Sequence, residues 1–180
     1  LNSVIASFGS ALLSLLIATP AAYSLSRHTF RRRDDLSFYI LSMRMAPPIA
    51  FAIPLYMLWN QLNMVGTYQA LILTYLTIGV PLAVWMMKSY FDELPRDMEE
   101  AAMVDGASEL GALLRIALPL ALPGLAATLI LWAIFSWNDF MFALVLTTLK
   151  TKTLSVGIAG YIGVQEAKWT FFMTMGFVAI

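Results

Sequence analysis

The chain has 180 residues, of which 60% are hydrophobic and 12% charged, with a mean hydropathy of +0.77. Soluble domains carry about twice that share of charged residues, so the composition excludes an ordinary soluble protein and indicates an integral membrane protein. The formal net charge is zero, which offers no basis for nucleic-acid binding. The absence of cysteine excludes disulfides and thiolate metal sites, and a single histidine argues against any other metal site.

Apolar runs of about 20 residues, the length that crosses a bilayer as a helix, predict five spans. In chain order they are Val4–Leu25, Leu36–Trp59, Tyr68–Met87, Leu118 to about Leu146, and Trp169–Ile180. Pro47, Pro48 and Pro54 are expected to break the second span. The short glycine-rich stretch Leu154–Val164 is interpreted as an extracytoplasmic loop or a re-entrant segment. Because apolar sequence reaches both ends, we expect a fragment of a longer polytopic protein.

Basic residues set the expected orientation. Four arginines crowd the loop after the first span, at positions 27, 31, 32 and 33. That loop is therefore predicted to be cytoplasmic. Alternation then places residues 60–67 outside, 88–115 inside and 150–168 outside.

An acidic stretch, residues 99–120, interrupts the apolar sequence between the third and fourth predicted spans. Proline is tolerated in a first helical turn, and negative charge is favourable near a helix N-terminus. A helix is therefore predicted to begin at Pro95 and to carry Asp97, Glu99 and Glu100. Gly106 suits the end of that helix, since glycine adopts the left-handed conformation at little cost. Ser108 can cap a second helix that runs to Pro119.

The first of these helices has a small, flat face. Met98, Ala101, Ala102 and Asp105 share it by helical spacing. Two adjacent alanines let another protein's surface approach closely. The alternative is an ordinary loop with solvated acids, but a loop that only connects two spans can be shorter than this one.

The same stretch resembles the EAA signature of ABC importer permeases. The matching residues are Glu100-Ala101-Ala102, three residues, Gly106, nine residues, and Ile116-Ala117-Leu118-Pro119. The segments MAPPIAFAIPLYMLWNQLNMVGTYQALIL, FDELPRDMEEAAMVDGA and FSWNDFMFALVLT together are similar to the carbohydrate subclass, on the side of the maltose-type pair that lacks a large periplasmic insertion. The resemblance covers essentially the whole chain.

This resemblance implies an all-α fold, a polytopic transmembrane helical bundle with a cytoplasmic coupling helix. Residues 1–180 would be one permease domain that lacks the first helix and the C-terminal end, and residues 95–117 would be the coupling loop. The residues expected to couple to an ATPase are Glu100, Ala101, Ala102, Asp105, Gly106, Ile116, Leu118 and Pro119. The expected location is the inner membrane of a prokaryote.

The resemblance also implies the partners. They are a cytoplasmic ABC ATPase subunit, a second permease subunit in a heterodimer, an extracytoplasmic solute-binding protein that delivers a sugar or polyol, and membrane lipid. The sequence carries no G-x-x-x-x-G-K-[ST] phosphate loop, so the chain is not expected to be an enzyme. ATP and magnesium would bind to the partner ATPase, and no cofactor is expected in this chain.

Two groups of residues are candidates for a substrate path. The first is Arg44 with Pro47 and Pro48, because an intramembrane charge and a broken helix often line a pathway. The alternatives are an arginine that snorkels to the interface and a simple packing kink. The second is Trp137-Asn138-Asp139, since an aromatic ring and hydrogen-bonding groups suit a sugar. The alternative is an interfacial helix end.

The remaining features are weighed in the same way. The outer loop from Thr147 to Lys152 corresponds to a loop that contacts the binding protein in the family, or is a passive connector. Four tryptophans, Trp59, Trp85, Trp132 and Trp169, are interpreted as interface anchors or lipid-facing residues. The competing functions are a permease for an amino acid, peptide or phosphate, and an ion-driven secondary transporter. The latter should show an intramembrane acid or histidine relay, which the sequence lacks.

Overall fold

A computed structural model describes residues 1–162, and within that range the secondary structure is helical without a strand. The all-α prediction is confirmed. The helices are α1 (Asn2–Arg27), α2 (Arg33–Ser42), α3 (Pro48–Gln61), α4 (Tyr68–Glu93), α5 (Asp97–Val104), α6 (Glu109–Ala112), α7 (Leu118–Leu120), α8 (Leu122–Trp137), α9 (Met141–Leu146) and α10 (Leu154–Ile162). A 3-10 turn, Met43–Met45, follows α2, and a π turn, Leu113–Ala117, joins α6 to α7.

Two described helices, α1 and α4, are each long and apolar enough to cross a membrane. They extend the first and third predicted spans by a few residues at one or both ends. Two further pairs qualify when each is counted as one span: α2 with α3, and the segment from α6 to α7 with α8. The described residues thus contain two to four spans by length and composition. The fifth predicted span lies outside them.

The second predicted span is interrupted at one place. Ala46 and Pro47 have extended backbone, and Pro48 occupies the first turn of α3, where its missing N–H is tolerated. Pro54, also expected to break the span, lies inside the continuous helix α3. The break therefore arises where the residue before a proline is pushed out of the helical conformation.

The fourth predicted span, Leu118 to about Leu146, is wrong in its continuity. It contains α7, α8 and α9 as separate helices, and the segment Glu109–Leu120 is bent by 72° relative to Leu122–Trp137. A proline, Pro123, in the first turn of α8 accounts for the first break. The second break lies at residues 138–140, where polar side chains bond to nearby backbone and compete with the helix.

The chain divides into two compact units. The first comprises Leu1–Ser10, Pro47–Tyr75 and the described residues from Ala133 onward, and the second comprises Ala11–Ala46 and Leu76–Trp132. In the first unit α3 packs against α9. In the second unit a single apolar core joins α1, α4 and the π turn, with members that include Ala18, Ala22, Met87, Phe91 and Ala117.

Two of the tryptophans are core residues, and their interpretation as interface anchors is wrong. Trp59 is 9% exposed, and its indole Nε1 donates to Thr74 Oγ1 at 2.8 Å, so the ring finds its polar partner inside the first unit. Trp132 is 4% exposed within the second unit. Trp85, in contrast, is 51% exposed. Trp169 lies outside the described residues.

Candidate functional site: an exposed helix-turn-helix module

Helix α5 opens the module that the acidic stretch predicts. It begins at Asp97, two residues after the predicted start at Pro95, and its first turn carries Asp97, Glu99 and Glu100. These acids lie at the positive end of the helix dipole. The side chains of Glu100 and Ala101 are exposed, and Ala102 is half-buried.

The turn after α5 is a Schellman motif. The N–H of Gly106 donates to Met103 O at 3.0 Å, and the N–H of Ala107 donates to Ala102 O at 2.9 Å, so two otherwise unpaired carbonyls are satisfied. This geometry requires a left-handed residue, and Gly106 has φ of +93°. The prediction that Gly106 ends the helix is confirmed.

The second helix begins as Ser108 predicts. Its Oγ accepts the N–H of Gly111 at 3.2 Å and caps α6. The chain then continues through the π turn into α7. Ala112, Leu113 and Ala117 are buried, which fixes this half of the module to the core of the second unit.

A cleft of about 320 Å³ lies between the two halves of the module. It is lined by Ala102, Asp105, Gly106, Ala107, Gly111, Arg115 and Ile116. Four of the eight predicted coupling residues therefore meet at one concave surface. Of the others, Glu100 and Ala101 are exposed on α5, Leu118 is half-buried and Pro119 is exposed.

The module also carries large apolar side chains that are not covered. Their exposed fractions are 48% for Met98, 88% for Val104, 63% for Leu110 and 53% for Leu114. Exposed apolar side chains on a segment that is also rich in acids are compatible with a protein contact.

The sequence does not predict that Glu99 is buried and paired. It is the one buried residue of α5, with 4% of its surface exposed. Arg27 donates to Glu99 Oε1 from Nη2 at 2.6 Å and from Nε at 2.9 Å, and Tyr23 OH donates to Oε2 at 2.6 Å. Charge alone does not distinguish Glu99 from Glu100, so nothing in the sequence marks it as the inward-facing acid.

Further polar contacts around this ion pair join the ends of neighbouring helices. Arg27 Nη2 also donates to Leu94 O at 3.2 Å, and Arg96 Nη2 donates to Ser26 O at 2.9 Å. Asp92 accepts from Ser26 Oγ and from Lys88 Nζ, each at 2.6 Å. The end of α1, the end of α4 and the start of α5 are therefore bonded to one another.

The predicted path residues Trp137, Asn138 and Asp139 lie together where α8 ends. Asp139 is half-buried, and its Oδ2 accepts Tyr75 OH at 3.0 Å and the N–H of Ala143 at 3.1 Å. Asn138 is exposed and donates to Ile134 O at 2.9 Å. Trp137 is half-buried. Asp139 therefore joins α9 to α4 within the first unit, while Asn138 is the more accessible of the two polar groups.

The other predicted path residues lie at the break before α3. Arg44 is exposed in the 3-10 turn, and Pro47 and Pro48 are exposed beside it in the chain. A path role for these residues stays a prediction.

The outer loop is held by the start of α1. Asn2 Nδ2 donates to Lys150 O at 3.0 Å and to Lys152 O at 2.9 Å, and Ser3 Oγ accepts the N–H of Leu154 at 2.8 Å. Beside the loop is a cleft of about 410 Å³, lined by Phe140, Leu144, Thr147, Thr148, Leu149, Lys152, Val156, Ala159 and Gly160. The loop is thus hydrogen-bonded to the start of α1, and its contact with a binding protein stays a prediction.

Known proteins match most of this chain. A family model described as binding-protein-dependent transport system inner membrane component matches residues 7–180. The trehalose/maltose transport system permease protein of Thermococcus litoralis is 39% identical over 180 residues, covering 99% of this chain and 65% of that protein. A probable ABC transporter permease of Sinorhizobium fredii is 37% identical over 169 residues, covering 94% and 61% respectively.

A solved structure is similar across the fold. The crystal structure of a bacterial ABC transporter involved in the import of the acidic polysaccharide alginate superposes with a TM-score of 0.77 at 27% identity. The match covers 96% of this chain and 62% of that chain. The present chain thus spans less than two thirds of the length of these proteins.

Proposed function

The chain belongs to the family of binding-protein-dependent transport system inner membrane components, and we propose that it is the permease subunit of an ABC importer. In this proposal it forms part of the translocation path for a sugar or polyol that a soluble binding protein delivers. A separate ATPase subunit binds ATP and magnesium and supplies the energy. A second permease subunit completes the path as a heterodimer.

The observation that carries the proposal is the exposed module built by α5, Gly106 and α6. The Schellman turn and the serine cap stabilise two helices where a connector between spans can be shorter, and these helices carry uncovered apolar side chains. Each of these features suits insertion into a partner. The small side chains of Ala101 and Ala102 allow close approach, and the exposed Glu100 can pair with a basic residue across the interface.

The sugar class is supported by the relatives. One similar permease is named for trehalose and maltose, and the similar structure comes from an alginate importer. Both substrates are carbohydrates. Measuring the binding of a panel of sugars, polyols, amino acids and phosphate to the partner solute-binding protein tests this class. Tight binding confined to non-carbohydrate ligands would contradict it.

Two substitutions test the coupling role of the module. Ala102→Trp should weaken retention of the ATPase subunit, because bulk beside the cleft separates the two surfaces. Gly106→Val should do the same or uncouple hydrolysis from transport, because a β-branched residue at φ of +93° costs of order 1 kcal/mol or more. The measurements are copurification with the ATPase and substrate-stimulated ATP hydrolysis in reconstituted vesicles.

Each substitution has a matched control at the same position. Ala102→Ser changes the volume little and should behave as wild type. Gly106→Asn should retain most activity, since asparagine tolerates the left-handed conformation and a Cβ at this position has no atom within 4 Å. Normal retention and normal stimulation in both Ala102→Trp and Gly106→Val would show that this module is not the coupling element.

A further inference from the structure

The inference concerns Glu99, the buried acid of an otherwise solvent-facing helix. Helix α5 has eight residues, and Glu99 is the one that is buried. An amphipathic helix normally buries an apolar stripe, because apolar burial supplies the stabilisation. Here the inward position carries a charge, and its partner Arg27 belongs to the last turn of α1.

The contacts leave neither carboxylate oxygen of Glu99 without a donor. Oε1 accepts two N–H groups of Arg27, and Oε2 accepts the hydroxyl of Tyr23. The side chains of Arg27 and Glu99 are 8% and 5% exposed. Water therefore screens this pair little, and its hydrogen bonds fix both the distance and the direction between the two helices.

Such a pair contributes little net stability. Desolvation of two charges offsets much of their attraction, and apolar residues of similar volume often stabilise a fold equally well. What the pair adds is orientation, because apolar contact is non-directional whereas a hydrogen-bonded ion pair has one preferred geometry. Helix α5 also packs against α6 and the π turn.

We propose that Glu99 is a positioning residue for energy coupling, and that it acts by fixing α5 to the end of α1. A displacement of α5 by the ATPase is then transmitted to α1 through Arg27 and Tyr23, as well as to α8 through the Gly106 turn. This inference rests on the proposed permease function. It adds a second mechanical connection, which reaches α1. The second and third predicted spans lie between α1 and the module in the sequence.

The test measures ATP hydrolysed per substrate molecule transported, in vesicles that contain the complete importer. Glu99→Gln leaves Arg27 buried without its counter-charge, so the ion pair no longer fixes α5 to α1. The ratio of ATP hydrolysed to substrate transported should therefore rise by about tenfold. Arg27→Lys keeps the charge but loses the second donor to Oε1, so it should give an intermediate ratio. Asp97→Asn, an exposed acid of the same helix, is the control and should match wild type.

A double variant separates coupling from stability. Glu99→Gln combined with Arg27→Met removes both charges, so no unpaired ion remains and the thermal unfolding temperature should return toward the wild-type value. The ATP-to-substrate ratio should stay raised, because the remaining contact lacks a fixed direction. A double variant that unfolds normally and couples normally would overturn the proposal, as would a wild-type ratio in Glu99→Gln.

The outcomes also separate this inference from the proposed function. If wild-type protein with its binding protein and ATPase shows no substrate-stimulated hydrolysis, the permease function itself fails. If wild type responds to substrate, while Glu99→Gln loses hydrolysis and transport in equal proportion, the ion pair has a structural role alone. In that case the positioning proposal is wrong and the permease function stands.

Discussion

Single glycines determine how closely helices pack in the second unit. A Cβ added at Gly124 would overlap the ring of Tyr90. One added at Gly79 would lie 2.5 Å from both Ser14 Oγ and Trp132 Cε2. Inside a bilayer, where lipid is as apolar as the side chains, helix association depends on such close approach. These glycines are therefore required for packing and not for backbone flexibility.

Replacing Gly124 with alanine should destabilise the protein. The helix would have to move away from Tyr90, and overpacking of this kind costs about 1–3 kcal/mol, of which better helix propensity offsets about 1 kcal/mol. Gly157→Ala is the matched control, since that glycine is also helical and a Cβ there has no atom within 4 Å. Thermal unfolding in detergent checks the pair. Equal stability of the two variants would contradict the packing argument.

At the scale of elements, the carboxylate of Asp139 lies at the break between α8 and α9. Asp139 accepts the N–H of Ala143 in the first turn of α9 and the hydroxyl of Tyr75 on α4. It therefore satisfies a helix-end donor and joins two helices of the first unit at the same time. The same side chain is a candidate for the substrate path, so its two roles require different tests.

Substitutions at Asp139 distinguish these roles. Asp139→Ala should lower the unfolding free energy by about 1–3 kcal/mol, because the N–H of Ala143 and the Tyr75 hydroxyl lose their acceptor. Asp139→Asn keeps a carbonyl oxygen and should retain most of the stability and transport. Asn138→Ala is the stability control, because Asn138 is exposed and bonds to Ile134 O in the last turn of α8. An Asp139→Asn protein that unfolds normally but does not transport would instead show that the charge serves the path.

What the sequence predicted at this scale depended on the signal available. Helix α1 was predicted to within two residues at each end, because a long apolar run bounded by polar residues is unambiguous. The turn at Gly106 was predicted because glycine, serine and the acids each have a local preference. The break at residues 138–140 is not predicted, because the sequence places Asn138 and Asp139 near the outer end of one continuous span, as path candidates or an interfacial helix end. Their backbone bonds depend on tertiary placement.

The sequence predicts less of the geometry of the candidate site. Ala102, Asp105, Gly106 and Ile116 line one cleft, which the sequence does not predict, and their coupling role stays a prediction. The burial of Glu99 was not predicted, because composition treats every acid as solvated, and the arginine that neutralises it is distant in the chain. The same limitation applies to Trp59, whose partner Thr74 is on another helix.

At the scale of the whole molecule, the orientation that the arginines predict stays a prediction. The pair Arg27–Glu99 brings α5 to the arginine-rich end of α1 within the second unit. In the first unit, Asn2 at the other end of α1 bonds to the loop that contains Lys150. The α5 module should therefore share the cytoplasmic side with the arginines, and the lysine loop should face outward.

Single cysteines test this orientation cleanly, since the chain has none of its own. Thr29→Cys lies at an exposed position beside the arginines, and Leu149→Cys at one that is 91% exposed. In intact cells an impermeant thiol reagent should label Leu149→Cys and not Thr29→Cys. Both should be labelled after permeabilisation, which is the control for reactivity. The reverse pattern in intact cells would place α5 on the outer side.

The π turn at Leu113–Ala117 gives the nine-residue spacing between Gly106 and Ile116 a geometrical meaning. A residue added to or removed from a helix changes its length by about 1.5 Å but rotates everything beyond it by about 100°. The wide turn already introduces such an angular offset between α6 and α7. A one-residue insertion or deletion between Gly111 and Arg115 would therefore change the length of the module little, but it would rotate one part of the cleft lining relative to Arg115 and Ile116. The spacing in the signature thus sets the rotation about the helix axis more than the distance along it.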